Sequence, residues 1–351
     1  MSRQHQLVGD FSAQTKVVEI GALCRPTIAK HAAQVFYVDY ASRAFLAKRY
    51  QNDPNVDVDA IVEVDGVWGG QDLKTVIADF GPVDIVIASH VAEHVPDLIS
   101  WLREISEILN PGGFVGLAIP DRDATFDRLR QLSTLSDLLE NYLVRRRIPS
   151  ALQVLDHVVN VDLGFLRAPE AIAEAPNPSQ LRVEDLRGLE ALVADINSNG
   201  AYHDVHCNTF TALSFASLML DISSLQLVDL SCATMFVNRS GEGEFIVRLS
   251  KGTTTDEIVA SWKAVLDSLR QVQAEKSPDD VSISDLNFEI ESRLSEQKML
   301  AEEQFKIGYE QGLREAALEL AHANRQINEI INSRSWRLTR PYRWLGKFFK
   351  S

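Results

Sequence analysis

Cysteine is scarce in this chain. Cys24, Cys207 and Cys232 are the only three among 351 residues, spaced too widely for a disulfide framework or a zinc ribbon. Such sparse usage fits a reducing compartment. Long apolar runs are missing too, and no stretch approaches the roughly 20 apolar residues that a membrane span requires. The opening MSRQHQLVGD has no apolar core of the signal-peptide kind, so the expected location is cytoplasmic. Positive charge is short. The net charge of −14 argues against general nucleic-acid binding, which rests on basic surface. Glycine is thin where a nucleotide-binding turn is usually rich in it: the turn GALCRP offers Gly21 alone.

What is present is ordinary globular material, 45% apolar and 24% charged, long enough for one large domain with appendages. From Lys16 to Pro120 the chain alternates short apolar runs with helical patterns, the grammar of a parallel α/β sheet. Strands are predicted at Val17–Ile20, Val35–Val38, Ala60–Val64, Val83–Ala88 and Phe114–Ile119. Helical stretches are expected at Ile28–Gln34, after an N-cap at Ser42, at Leu73–Phe80, and at Leu98–Leu109, which ends in the stop signal Asn110-Pro111-Gly112-Gly113. Acids follow three strands: Asp39, Asp65 and Asp121. Such sheets bind ligands at the C-terminal edge, and an acid about 20 residues after the first glycine turn suits both ribose hydroxyls of a nucleoside.

Residues 122 to about 208 read as a mostly helical insertion with the basic run Arg145-Arg146-Arg147, taken as a solvated face, and a proline-rich loop at 173–180. Its position after the fifth strand puts it on the ligand edge, where it serves as a substrate lid or as a stabilising cap. Sheet and helix return with a helix at Thr209–Ile222, strands at Gln226–Leu230, Met235–Asn238 and Glu244–Leu249, and a helix at Thr255–Val272. The expected organisation is a catalytic domain over 1–255, a packing helix and linker over 256–286, a coiled-coil helix over 287–333 and a tail over 334–351. Leu313, Ala317, Leu320, Asn324, Ile327 and Ile331 alternate spacings of four and three, the seam of a homo-oligomeric coiled coil. The tail interleaves aromatics with six basic residues and no acid, a composition that an anionic membrane surface attracts.

The residues 16–121, with SHVAEHVPDLISWLREISEILNPGG and the strand FVGLAIPD after it, resemble a class I S-adenosylmethionine-dependent methyltransferase. The stretches IPDRDATFDRLRQLSTLSDLLENY, QVLDH and YHDVHCNTFTALSF, and the ending SRSWRLTRPYRWLG, are similar to a bacterial subgroup associated with polysaccharide biosynthesis. The resemblance implies a doubly wound, mostly parallel Rossmann-like sheet, S-adenosylmethionine as cofactor and a sugar or glycan acceptor. It places Glu19, Gly21 and Ala22 in the first loop, Asp39 and Tyr40 at the ribose, Asp65 toward the adenine, and Ser89 and His90 closing the site.

His90, His157, His206 and Asp121 are the candidates for a base or an acceptor contact. His90, Glu93 and His94 spell HxxEH, but zinc-peptidase chemistry needs both histidines on one helical face and His90 ends a strand. His203 and His206 lack an obvious third ligand unless His157 supplies it, so no metal is assigned. Two other readings stay open. One is a non-catalytic methyltransferase-like scaffold for glycan enzymes, prompted by the one-glycine loop. The other is a methyltransferase of a small metabolite or lipid.

Overall fold

The computed structural model describes residues 1–162, 165, 183–237, 243–252 and 254–275. They build a seven-stranded sheet from β1 (Lys16–Ile20), β2 (Gln34–Asp39), β3 (Gly66–Val67), β4 (Val83–Ser89), β5 (Leu109–Pro120), β6 (Leu230–Val237) and β7 (Glu244–Lys251), in the order β3-β2-β1-β4-β5-β7-β6. The first five strands pair in parallel, and β7 runs antiparallel to both β5 and β6. This is the doubly wound, mostly parallel architecture predicted. The strand order reverses between β1 and β4, the switch point at which such sheets leave a crevice.

Both faces of the sheet are covered, which is why its strands are nearly continuous apolar runs. Along β4, Val86 and Ala88 face one core while Ile85 and Ile87 face the other. The larger core receives α4 (Leu98–Ile108), whose Leu98, Trp101, Leu102 and Ile105 are buried as the sequence spacing predicts. It also receives α8 (Ala212–Ser224), capped by Thr211, and α9 (Thr255–Glu275), whose Trp262 is fully buried and donates to the Leu230 carbonyl. The smaller core is closed by α1 (Arg3–Val8) and the loop after β1. Gly116 of β5 admits α1: a Cβ there would stand 2.0 Å from the Leu7 carbonyl oxygen.

Several elements depart from expectation for local reasons. Ile28–Gln34 forms no helix. The Glu19 carboxylate accepts the Thr27 and Ile28 amides, and the Tyr37 hydroxyl donates to the Ile28 carbonyl that a helix would use, so this stretch is tied down as a loop anchored by the buried Ile28 and Ala33. The third strand is not Ala60–Val64 but the two-residue β3, with Asp65 before it rather than after it. The helix after it, α3 (Leu73–Val76), is one turn, and the run to Gly81 is turn. The strand expected at Gln226–Leu230 begins only at Leu230, because Gln226 turns at φ +56°. α2 (Arg43–Arg49) is capped by the Ser42 side chain as predicted.

The insertion contributes α5 (Leu135–Leu143), α6 (Ala151–Asn160) and α7 (Val183–Asn199). Val154, Ile196, Val205 and Cys207 give it a small core of its own. The 173–180 loop, the coiled-coil seam and the 334–351 tail lie outside the described residues. Among the described residues no helix is long and apolar enough to cross a membrane.

Candidate functional site

A cavity of about 710 Å³ opens at the switch point, where β1, β2 and β4 release the chain. Ile20 and Gly21 line it from β1, Asp39 and Tyr40 from β2, and His90 and Val91 from β4. Leu23, Leu46, Tyr50, Trp68 and Trp101 add apolar wall, and the insertion closes the far side with Tyr142, Arg145–Ile148, Tyr202 and Asp204. All three arginines of the basic run line the chamber, while Arg145 and Arg147 stay exposed, as a solvated face implies. Arg146 bonds Asn141 and Glu140, and Arg147 reaches Glu104 at 3.5 Å.

The backbone is bent to make this chamber. Gly21 sits at φ +72°, and His90, a non-glycine residue, sits at φ +55° with its amide donating to the Ala118 carbonyl. A side chain held in the left-handed region at a strand end marks a place where conformation serves something besides packing. Asp39 is 7% exposed, and its Oδ1 accepts the Tyr40 amide at 2.8 Å. Burial, with the nearby Asp204 carboxylate, pushes its carboxyl up to about 6 against that hydrogen bond. The Tyr40 hydroxyl is buried without a hydrogen-bond partner.

At the rim a charged network holds His90. Arg3 donates to both Glu244 oxygens and to Ser89 Oγ, while His90 Nε2 pairs with Glu244 at 2.8 Å. Burial would raise Glu244, but the Arg3 guanidinium and the His90 ring outweigh it and hold the carboxyl at about 2. Farther along the wall, His94 Nδ1 stands 3.0 Å from Asp204 Oδ1, an ion pair whose angle falls short of a hydrogen bond. Burial would lower the His94 ring, but the carboxylates of Asp204 and Glu93 outweigh it and raise its pKa. The Tyr50 hydroxyl also donates to Asp204 at 2.9 Å.

Of the predicted residues, Gly21, Asp39, Tyr40 and His90 meet at the cavity. The others are placed elsewhere. Glu19 is buried under the first loop, Ala22 packs in the smaller core, and Ser89 accepts from Arg3. Asp65 is engaged by Lys30 at 2.6 Å and by the Tyr37 amide at 2.9 Å, and Trp68 and Gly69 occupy the wall at that end of β3 instead. Asp121 caps the turn at Asp123. His206 and His157 lie behind His94: the His94 and His206 rings meet edge-on at 4.7 Å, and His206 donates its amide to His157 Nδ1 at 3.3 Å. Burial, with Arg130 next, lowers the His157 ring to about 4. His94, Tyr202 and Asp204 were missed as wall residues. The segment YHDVH held two of them, Tyr202 and Asp204, but only the fold shows that this loop returns against the turn after β4.

Residues 19–115 match a family model described as a methyltransferase domain. The chain carries a methyltransferase domain. The cofactor of that domain is S-adenosylmethionine, and the chamber suits it: a buried carboxylate at the end of β2 offers acceptors for a ribose diol, beside an unpartnered tyrosine hydroxyl. Solved structures similar to the chain include the mitomycin 7-O-methyltransferase MmcR, at 12% identity and TM-score 0.34, over 71% of this chain and 52% of that one. Another is an S-adenosylmethionine-dependent methyltransferase from Clostridium acetobutylicum, at 7% and 0.35, over 68% and 84%. A third is a putative zinc-dependent alcohol dehydrogenase from Rhodobacter sphaeroides, at 13% and 0.40, over 71% and 89%. Likenesses this distant carry no argument about reaction or acceptor, and the chain spans about half the length of the first. No curated protein sequence matches the chain.

Proposed function

We propose that the protein transfers a methyl group from S-adenosylmethionine to a hydroxyl of a sugar or glycan intermediate of cell-surface polysaccharide biosynthesis. One observation carries the reading: a single chamber joins the strand ends at Gly21, Asp39 and His90 to a wall of Tyr142, arginines, Tyr202 and Asp204 built by the insertion. Asp39 would accept the ribose hydroxyls, Trp68 and Leu46 would flank the base, and the bent turns at Gly21 and His90 would leave room for the methionine end. The sulfonium donor, once bound, supplies an activated methyl group. The chain's remaining task is to align the acceptor. His94 lines the chamber with Asp204 beside its Nδ1, a contact that fixes the ring in the acceptor wall. The arginines and the aromatic wall suit a polar, partly anionic saccharide.

Incubation of the full chain with cofactor and a fraction of glycan intermediates tests this by mass spectrometry. The expected result is a methylated saccharide and loss of the product in Asp39→Ala. Cofactor binding without turnover of any glycan fraction overturns the enzymatic reading and leaves a scaffold. Turnover of a small metabolite or lipid alone overturns the acceptor class.

The same proposal gives the rest of the chain its work. The domain over 1–255 is catalytic, 256–286 packs and links, the helix over 287–333 makes a homo-oligomer, and the tail over 334–351 holds the enzyme at the cytoplasmic face of an anionic membrane. Sedimentation of the full chain, alone and with anionic vesicles, checks both. A monomer contradicts the first assignment, and no pelleting with vesicles contradicts the second.

A further inference from the structure

Beneath the wall at His94 lies a group of side chains that methyl transfer does not require. Glu93 sits in the short turn Ala92–His94 after β4, is 2% exposed, and has no hydrogen-bond partner on either carboxylate oxygen. Two rings stand close to it, His90 Nδ1 at 3.6 Å and His94 Nε2 at 3.9 Å from Oε1, both beyond hydrogen-bond reach. A buried carboxylate left this bare is costly unless something positive meets it. His206 arrives from the return of the insertion, and Glu93, His94 and His206 each offer a ligand atom within 4.8 Å of the others.

The surroundings orient both rings. Asp127 takes His206 Nδ1 at 2.5 Å and is itself held by Arg130 at 2.8 Å, while Arg130 also donates to the His206 carbonyl. Asp204 stands behind His94 Nδ1 at 3.0 Å. In each case a carboxylate occupies Nδ1 and leaves Nε2 for another partner, which is how histidine ligands are oriented around metal ions. Two imidazoles and one carboxylate suit a borderline cation such as zinc rather than magnesium or calcium, which prefer all-oxygen shells. Bonds of about 2.0–2.2 Å put ligand atoms roughly 3.3 Å apart, so inward shifts of about 1 Å close the site.

We propose that Glu93, His94 and His206 bind one divalent transition-metal ion, which fastens the returning segment of the insertion to the turn after β4. The set differs from that of a zinc peptidase. Glu93 is a ligand rather than a base, and His90 is engaged with Glu244 instead.

Zinc and cobalt(II), added to the purified, chelator-stripped full chain, are the probes. One equivalent of zinc should bind and raise the melting temperature, and cobalt should give visible d–d bands. Glu93→Gln and His206→Ala should each weaken zinc binding at least 100-fold with unchanged circular dichroism. His203→Ala, whose ring reaches Asp195 rather than the cluster, should bind as the wild type does. No stoichiometric zinc binding by the wild type overturns the proposal, as does full retention in Glu93→Gln. Should His206→Ala misfold, the isosteric Glu93→Gln decides. Metal binding is read without cofactor or acceptor, so its failure is distinct from failure of the methyl-transfer reading.

Discussion

Asp39→Asn should make the protein more stable and a worse binder of its cofactor, with the stability gain confined to one side of a pH window. In the fold the Asp39 carboxyl titrates at about 6 rather than at its ordinary 3.8, chiefly because burial disfavours its charged form. That difference corresponds to about 3 kcal/mol between protonation states. A raised carboxyl means that the folded chain holds a proton which the unfolded chain has lost, so stability falls as pH rises from about 4 to about 6 and stays reduced above. Asparagine keeps the oxygen that accepts the Tyr40 amide at 2.8 Å and removes the charge. Allowing for relaxation, the gain at pH 8 should be about 1–2 kcal/mol, or roughly 2–8 °C in melting temperature. Near pH 4 it should vanish. Binding should move the other way, because a carboxylate accepts from two hydroxyls and an amide supplies only one oxygen. A loss of about 2–3 kcal/mol, roughly 30- to 150-fold in affinity, is expected. Scanning calorimetry at pH 4, 6 and 8, with cofactor titration at pH 8, checks both. If the Asp39→Asn variant gains no more stability over wild type at pH 8 than at pH 4, the reasoning is refuted.

Other outcomes follow from the same structure. Gly21→Ala places a Cβ 2.6 Å from Val91 Cγ2 at φ +72°, and should cost about 1–3 kcal/mol and weaken cofactor binding at least tenfold; wild-type melting and affinity would contradict it. Gly116→Ala drives a methyl into the Leu7 carbonyl and should lift α1 from β5, losing about 1–3 kcal/mol and exposing the amides of Arg3–Val8 to hydrogen exchange. Unchanged exchange at the N-terminus would count against it. Glu244→Gln removes the partner of Arg3 and His90. Because the Glu244 carboxyl is held at about 2, the stability it contributes is present above pH 4.5 and fades as pH falls toward 2. The variant should melt lower at pH 7 and converge with wild type at acid pH, and a pH-independent deficit would point to lost packing instead.

How much of this was legible in the sequence depended on how local the cause was. β1, β4 and α4 were readable because both faces of the strands are buried and α4 presents one apolar stripe, so composition and spacing report their surroundings directly. Asp39 was readable because a strand end and a glycine turn fix its place. Asp65 has the same local signature, yet its carboxylate is taken by Lys30 and the Tyr37 amide, a tertiary contact that no spacing reveals. The Ile28–Gln34 stretch was read as helical, but the Ile28 carbonyl, which a helix would give to Ala32, accepts the Tyr37 hydroxyl, and Ala32 turns back to Ala29. His94 lies more than a hundred residues before Asp204 and His206 in the chain. Their meeting rests on the path of the insertion, which sequence pattern does not record.

Titration of the full chain with S-adenosylmethionine tests the central claim most directly, namely that the strand ends at Gly21, Asp39 and His90 hold the cofactor. One equivalent should bind the wild type, and Asp39→Ala should bind far more weakly. No heat of binding from the wild type, or an Asp39→Ala protein that binds as tightly, would contradict the account.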